Sequence, residues 1–102
     1  MRIKFSEGVG EIENLPGCSQ VAVFHSVFVP VENRGRGEGS KGHQKRLEYA
    51  RELLYNYAIC TVDSTNLREV AILEKFGWKK LDCFNSFKTG HNVALYGKNL
   101  NE

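Results

Sequence analysis

The chain has 102 residues and a formal charge of +2 with neutral histidines, and this length suits one domain spanning residues 1–102. Its 41% hydrophobic and 25% charged residues are globular values that exclude a disordered, collagen-like or low-complexity chain. No apolar run approaches the roughly 20 residues of a membrane helix, and no secretory signal is visible. Because +2 is a weak charge, a nucleic-acid partner is not expected.

The cysteines are odd in number and widely spaced, at Cys18, Cys60 and Cys83. They form no C-x-x-C pair, so neither a disulfide framework nor a zinc knuckle is indicated. We therefore expect reduced thiols in a cytoplasmic protein. Cys60 is expected to be a buried core thiol, and Cys83 is expected to pack along a strand.

The first part of the chain predicts three strands. Two short strands are expected at residues 2–5 and 9–13, with a turn at Gly8 between them. Residues 21–29 read VAVFHSVFV, a continuous run of β-branched and aromatic residues that is typical of a strand buried on both faces. Pro30 has no N–H to donate, so strand pairing should end near it.

An amphipathic helix is predicted from about residue 40 to residue 55. Leu47, Ala50 and Leu54 form its apolar stripe at helical spacing. Arg46 is expected on the opposite side with the other charged residues. A short buried strand follows at residues 58–62.

A second helix is predicted to begin at an N-cap formed by Ser64 or Thr65 and to end at Gly77. Two closing strands are expected at residues 78–84 and 92–96. The resulting order β, β, β, α, β, α, β, β predicts an α+β domain, a mixed sheet of about six strands with two main helices.

A glycine-rich segment, residues 35–42, lies between the third predicted strand and the first helix. Glycines let the main chain approach a ligand closely, and a helix N-terminus presents free N–H groups with a partial positive charge. Cationic side chains are nearby at Arg34, Arg36, Lys41 and Lys45. The segment therefore predicts a binding site for a pyrophosphate. It is not a P-loop, since His43 follows Gly42 where that motif needs lysine.

Two sequence motifs resemble a known family. The pattern Arg34-x-x-Gly37-x-Gly39 after a buried strand resembles the acetyl-coenzyme A signature of the GNAT N-acetyltransferase superfamily. Residues 66–78, from an asparagine to a Gly-Trp pair, resemble that family's later helix. The resemblance covers roughly residues 21–98. It implies the GNAT acyl-CoA N-acyltransferase fold and transfer of an acetyl group from acetyl-CoA to a primary amine, which attacks the thioester directly.

The resemblance also implies which residues hold the cofactor. The end of the strand offers main-chain groups to the pantetheine arm, the loop holds the pyrophosphate, and an asparagine contacts the cofactor. These positions are Val27, Phe28 and Val29 on the strand, Arg34, Gly35, Arg36, Gly37, Glu38, Gly39 and Ser40 in the loop, and Asn66.

His25 is the candidate catalytic residue, since an imidazole near neutral pH can take the proton that a primary ammonium must lose. The resemblance supports this role, because the family often has a base on this strand. The alternative is a neutral core histidine bonded to a main-chain carbonyl. His43 is expected at the surface and His91 in a solvated turn.

Three features depart from the family pattern. Leu73 stands where the family often has a tyrosine that protonates the departing thiolate, and Tyr96 is a conceivable substitute. Glu38 places a carboxylate between the last two glycines of the motif. The family usually has two helices before the third strand, and here that region is too short to hold them beside two strands. The acceptor side should therefore be open or completed by a partner chain, and a homodimer is reasonable.

The departures leave other functions open. One is a catalytically weak or inactive GNAT-like module that binds coenzyme A or a partner protein. A weaker one is a nucleic-acid binder that uses the face between Arg34 and Arg51. No membrane partner is expected. The acceptor stays open among small amines, protein N-termini, lysines and nucleotide amines.

Overall fold

A computed structural model of the chain describes residues 1–5 and 7–101. The predicted order of elements and the α+β class are confirmed. A short 3-10 turn, Val31–Asn33, follows the third strand. The strands and helices are β1 (Arg2–Phe5), β2 (Gly8–Leu15), β3 (Cys18–Phe28), α1 (Glu38–Glu52), β4 (Tyr57–Asp63), α2 (Leu67–Lys75), β5 (Lys79–Asn85) and β6 (Asn92–Asn99).

The six strands form one sheet in the order β1-β2-β3-β4-β6-β5. Among these described strands, β3 and β4 are parallel and all other neighbouring pairs are antiparallel. Alternate residues of β3, β4 and β6 join side chains of both helices in one hydrophobic core, which includes Phe24, Leu47, Cys60, Leu73 and Tyr96. Because alternate strand residues share a face, both helices cover the same side of the sheet. No helix in this described part of the chain has the length and apolar character to cross a membrane.

The expectation that β3 is buried on both faces is wrong. Val21, Val23 and His25 alternate with the core residues and are only half-buried, and Phe28 near the strand end is 56% exposed. The reason is the placement of both helices on one face of the sheet. The opposite face of β3 is therefore accessible.

Strands β3 and β4 pair over three positions, from Val21 with Tyr57 to Val23 with Ile59. Beyond them, β3 continues along β2 while β4 continues along β6. Near its end β3 carries an extra residue, since three steps on β3 match two on β2, and Ser26 there has a φ of 56°. Such a bulge bends a strand, and the two strands diverge into a V-shaped gap.

Two predicted solvent positions on α1 are wrong. Arg46 is 2% exposed and His43 is equally buried. Both lie at helical spacing from Leu47 and Ala50, which are core residues. The helix geometry therefore carries these polar side chains into the interior.

Two smaller expectations also change. The N-cap of α2 is Asn66, whose Oδ1 accepts the N–H of Glu69 at 3.2 Å, because Thr65 is bonded to Asp63 instead. Cys83 is exposed rather than packed, since it lies on β5 at the end of the sheet, where every residue is exposed. That exposed edge strand supports the predicted homodimer, which stays a prediction.

Leu73 provides a test of the packing of α2 onto the sheet. It is completely buried, whereas Leu67 on the same helix is 73% exposed. Leu73→Ala should lower the free energy of unfolding by about 2–5 kcal/mol, because a cavity replaces buried methyl groups. Leu67→Ala serves as the matched control and should change it by less than about 0.5 kcal/mol. Urea unfolding measures both, and equal effects would contradict this packing.

Candidate functional site

The gap between β3 and β4 opens into a cleft of about 710 Å³. The N-terminal ends of α1 and α2 border it, so the cleft lies where the sheet diverges and two helices begin. Most residues assigned from the sequence line it, and Arg36 does not. Those that do are His25, Val27, Phe28, Val29, Arg34, Gly35, Gly37, Glu38, Gly39, Ser40 and Asn66.

The loop before α1 presents main-chain donors to this cleft. Gly35 and Gly37 have φ of 80° and 79°, which side chains other than glycine adopt at a cost. The first main-chain donor of the helix is Lys41, bonded to the carbonyl of Gly37 at 3.1 Å. Among the described residues, the amides of residues 35–37, 39 and 40 donate to no protein acceptor. Together with the helix dipole they form a site suited to an anion.

Glu38 does not point to solvent, although it begins α1. It is 5% exposed, and its carboxylate accepts the N–H of Glu7 at 3.1 Å and contacts Lys41 Nζ at 3.3 Å. Arg34 is also engaged, since its Nε donates to the carbonyl of Val29 at 2.9 Å. These contacts tie the loop to the first turn of the sheet and to the end of β3.

Asn66 and Asp63 form the rim on the other side of the cleft. The Oδ1 of Asn66 is used by the helix cap, so its amide NH₂ is the group it can offer to a ligand. Asp63 binds the Thr65 main chain and His91, whose Nδ1 lies 2.7 Å from Oδ2. These hydrogen bonds, the Thr65 N–H first, lower the pKa of Asp63 to about 2.

His25 lies at the junction of the cleft with a second cavity of about 350 Å³. Both cavities are lined by Phe24, His25, Ser26, Cys60 and Thr61. Since these residues come from both diverging strands, the gap gives access from both faces of the sheet.

The surroundings of His25 do not match the core-histidine alternative. Its side chain is 38% exposed, and its Nδ1 lies 2.7 Å from the hydroxyl of Ser26 rather than from a carbonyl. Its Nε2 is 3.9 Å from a carboxylate oxygen of Glu13. The ring is therefore held at the gap with an acidic neighbour.

A buried polar cluster lies along the helix side of the cleft, and we define it as His43, Arg46 and Trp78. The indole N–H of Trp78 donates to Nε2 of His43 at 2.7 Å. Burial first, and then the positive charges of Arg46 and Lys98, lower the pKa of His43 to about 3. His43 is thus neutral, and its ring proton is on Nδ1.

Arg46 has fewer partners than its charge requires. Among the described residues its Nε has no hydrogen-bond partner, and its Cζ lies 5.0 Å from the ring centre of Phe24. Burial lowers its pKa. Burial also raises the pKa of the neighbouring Cys60 thiol to about 12, so Cys60 is a packing residue and not a nucleophile.

Leu73, which the resemblance aligns with the family's tyrosine, is part of the core. Leu73 is completely buried among core side chains and does not line the cleft. Tyr96 is also buried in the core and does not line the cleft.

The buried cluster of His43, Arg46 and Trp78 was not predicted from the sequence. The helical spacing of residues 43, 46, 47 and 50 is the signal that could have indicated it.

No family model and no curated protein matches the chain, but solved structures do. An acetyltransferase of the GNAT family from Bacillus anthracis matches 94% of this chain with 60% of its own, at a TM-score of 0.80 and 21% identity. YncA from Salmonella typhimurium, solved with its cofactor acetyl-CoA, covers 94% of this chain with 59% of its own length, at a TM-score of 0.80 and 17% identity. The ribosomal-protein-S18-alanine N-acetyltransferase from Escherichia coli covers 92% of this chain with 61% of its own length, at a TM-score of 0.78 and 9% identity.

These likenesses show that the chain has the GNAT fold, as the two motifs predicted. The chain spans about three-fifths of the length of these three solved structures.

The pH dependence of stability tests the buried state of His43. An unfolded imidazole is protonated below about pH 6.5, whereas the folded pKa is about 3. Unfolding therefore takes up a proton at pH values between about 3 and 6.5. Above about pH 6.5 the contribution of the neutral His43 to the free energy of unfolding is fully present. It is lost as pH falls, by up to about 1.4 kcal/mol per pH unit.

His43→Gln keeps an acceptor for the Trp78 indole and removes the titrating ring. Urea unfolding from about pH 7 to pH 4.5, followed by the fluorescence of the single tryptophan, should give a flatter profile for the variant. This range lies above the region where Asp63 titrates. Parallel profiles for the two proteins would show that His43 is not the buried neutral group described above.

Proposed function

We propose that the chain is a GNAT superfamily member that binds acetyl-CoA in the cleft and transfers the acetyl group to a primary amine. The observation that carries the proposal is a set of main-chain amides at the start of α1, beside the β3–β4 gap, that donate to no acceptor in residues 1–5 and 7–101. Amides of this kind, at a helix N-terminus, suit a pyrophosphate. The YncA structure, which holds acetyl-CoA, supports this reading of the fold.

The residues of the cleft fit the parts of this cofactor. The amides of residues 35–37, 39 and 40 would hold the pyrophosphate. Residues 27–29 would offer main-chain groups to the pantetheine arm, because β3 has no neighbouring strand on the β4 side beyond Val23. The amide NH₂ of Asn66 would donate from the opposite rim. When bound, acetyl-CoA supplies an acyl group activated as a thioester.

The chain would then position an amine for direct attack. We assign His25 as the base that takes the proton of the ammonium. The second cavity opens beside His25 and gives the amine a route from the opposite face of the sheet. A main-chain N–H near Val29 would donate to the carbonyl oxygen as negative charge develops on it. Because Leu73 has no hydroxyl, the departing thiolate would be protonated by water.

Gly37→Glu tests the anion site. It forces a side chain onto a positive φ and places a carboxylate in front of the α1 amides. We expect it to weaken coenzyme A and acetyl-CoA binding about tenfold or more in calorimetric titration. Gly90→Glu is the matched control, since Gly90 also has a positive φ and open space around it but lies in the β5–β6 turn.

The control variant should bind both compounds as the wild type does. If the wild type binds neither compound, the cofactor assignment is wrong. If both glutamate variants lose affinity equally, the loss comes from strain and not from the anion site.

His25→Ala tests the catalytic assignment separately from binding. The rate of thioester consumption with an amine panel should fall about 10²–10⁴-fold, the usual contribution of a general base. The slowing should be greatest below neutral pH, where deprotonation of the amine is hardest. The dissociation constant of acetyl-CoA should stay the same, and an unchanged rate would remove His25 from the mechanism.

A further inference from the structure

The guanidinium of Arg46 is a buried charge for which the described residues supply no adequate acceptor. The side chain is 2% exposed and lines the cleft, and its Nε has no hydrogen-bond partner within the described part of the chain. Leaving a buried charged donor unpaired is strongly unfavourable for folding. A ligand in the cleft that brings a negative group close to the guanidinium would reduce this penalty.

None of the neighbouring groups fills that role. The Nη2 of Arg46 lies 3.5 Å from Nδ1 of His43, but that nitrogen carries the ring proton because Nε2 accepts from Trp78. Two donors therefore face each other. The Phe24 ring attracts the cation without accepting a conventional hydrogen bond.

Glu69 on α2 is the remaining neighbour with a charge. Its field acts on Arg46, yet the described side chains of Arg46 and Glu69 form no ion pair within 4.0 Å. Burial raises the pKa of Glu69, which weakens its competition for the guanidinium. Arg46 is thus attracted electrostatically by Glu69 without forming a hydrogen-bonded ion pair with it.

The position of Arg46 indicates which part of a ligand would meet it. A Cβ on Gly10 would lie 2.9 Å from both Cδ and Nε of Arg46. Gly10 lies on β2 between the pairs Val9–Phe28 and Glu11–His25, opposite the bulge at Ser26. Along α1, Arg46 is nine residues from Gly37, about 14 Å at 1.5 Å per residue.

Arg46 therefore lies along α1 away from the anion site, opposite the bulge of β3 and on the helix side of the sheet, whereas His25 faces the other side of the same gap. In the proposed function this gap is where the acyl group meets the amine, and the inference rests on that function. An acetyl group carries no charge that could pair with a guanidinium, and its one acceptor, the carbonyl oxygen, is assigned above to a main-chain N–H near Val29. An acyl group that ends in a carboxylate does, and Arg pairs with carboxylates through two parallel hydrogen bonds.

We propose that Arg46 selects short acyl groups with a terminal carboxylate, so that the chain transfers a dicarboxylic monoacyl group of about succinyl size in addition to acetyl. The amine nitrogen forms a bond to the thioester carbonyl carbon, and the carbon–sulfur bond breaks. The electron pair of that bond leaves with the thiolate, which takes a proton from water, while the amine gives up its proton to His25. The distal carboxylate is unchanged and stays paired with Arg46.

Binding of two stable analogues tests this proposal without turnover. In both, a methylene replaces the thioester sulfur of coenzyme A. One carries a succinyl group and the other a 4-methylpentanoyl group, which has the same branching and size without charge. We expect the wild type to bind the succinyl analogue about tenfold or more tightly than the neutral one, and Arg46→Met to abolish or reverse that preference.

Three further variants separate charge from packing. Lys45→Met removes a neighbouring cation on α1 that does not line the cleft, and it should change both affinities alike. Glu69→Gln removes the competing carboxylate and should increase the preference for the succinyl analogue. Arg46→Lys keeps the charge without the planar fork and should retain part of the preference, which keeps the test decisive if Arg46→Met does not fold.

The outcomes separate this inference from the proposed function. If both analogues bind equally well to the wild type and Gly37→Glu weakens both, the cofactor site stands and the role of Arg46 is wrong. If neither analogue binds, both proposals fail. A preference that persists in Arg46→Met also overturns the assignment of Arg46, because another cation would then be responsible.

Discussion

The separation of β3 from β4 is the constraint on which the functional part of the molecule depends. The two strands pair from Val21 to Val23 and then follow different neighbours, β2 and β6. Each strand keeps its other partner, so the gap cannot close without breaking a second ladder. The main chain of β3 is thereby left without a strand on one side, and the start of α1 faces the same opening.

The separation also explains why the cleft is reached from both faces of the sheet. A complete ladder between β3 and β4 would bury Ser26 and Thr61 in continuous pairing. Instead these residues border both cavities. A group held on the helix side can therefore meet a second molecule that arrives from the uncovered side, which is the geometry that a transfer between two substrates needs.

Sequence signals identified the elements and the glycine-containing loop before α1, because both depend on local chemistry. The glycines at 35 and 37 adopt positive φ and lie directly before a helix, and β-branched residues mark β3. The bulge at Ser26 left no such signal, because serine is an ordinary residue and its φ follows from pairing with β2. The prediction that Arg46 lies at the surface was wrong because its helical spacing from Ala50 places it on the core side of α1 despite its charge.

The cleft therefore has a positive group at each end, made in two different ways. At one end main-chain amides of α1 form a diffuse partial charge, and at the other a single buried guanidinium forms a full one. Gly37 and Arg46 are separated by a rise of about 14 Å along the helix, so we expect a small anion to satisfy only one of the two groups. A ligand that satisfies both must be extended and must carry negative groups at both ends. An acyl chain with a terminal carboxylate on coenzyme A has this form, whereas acetyl-CoA, in the proposed function, would satisfy the first end alone.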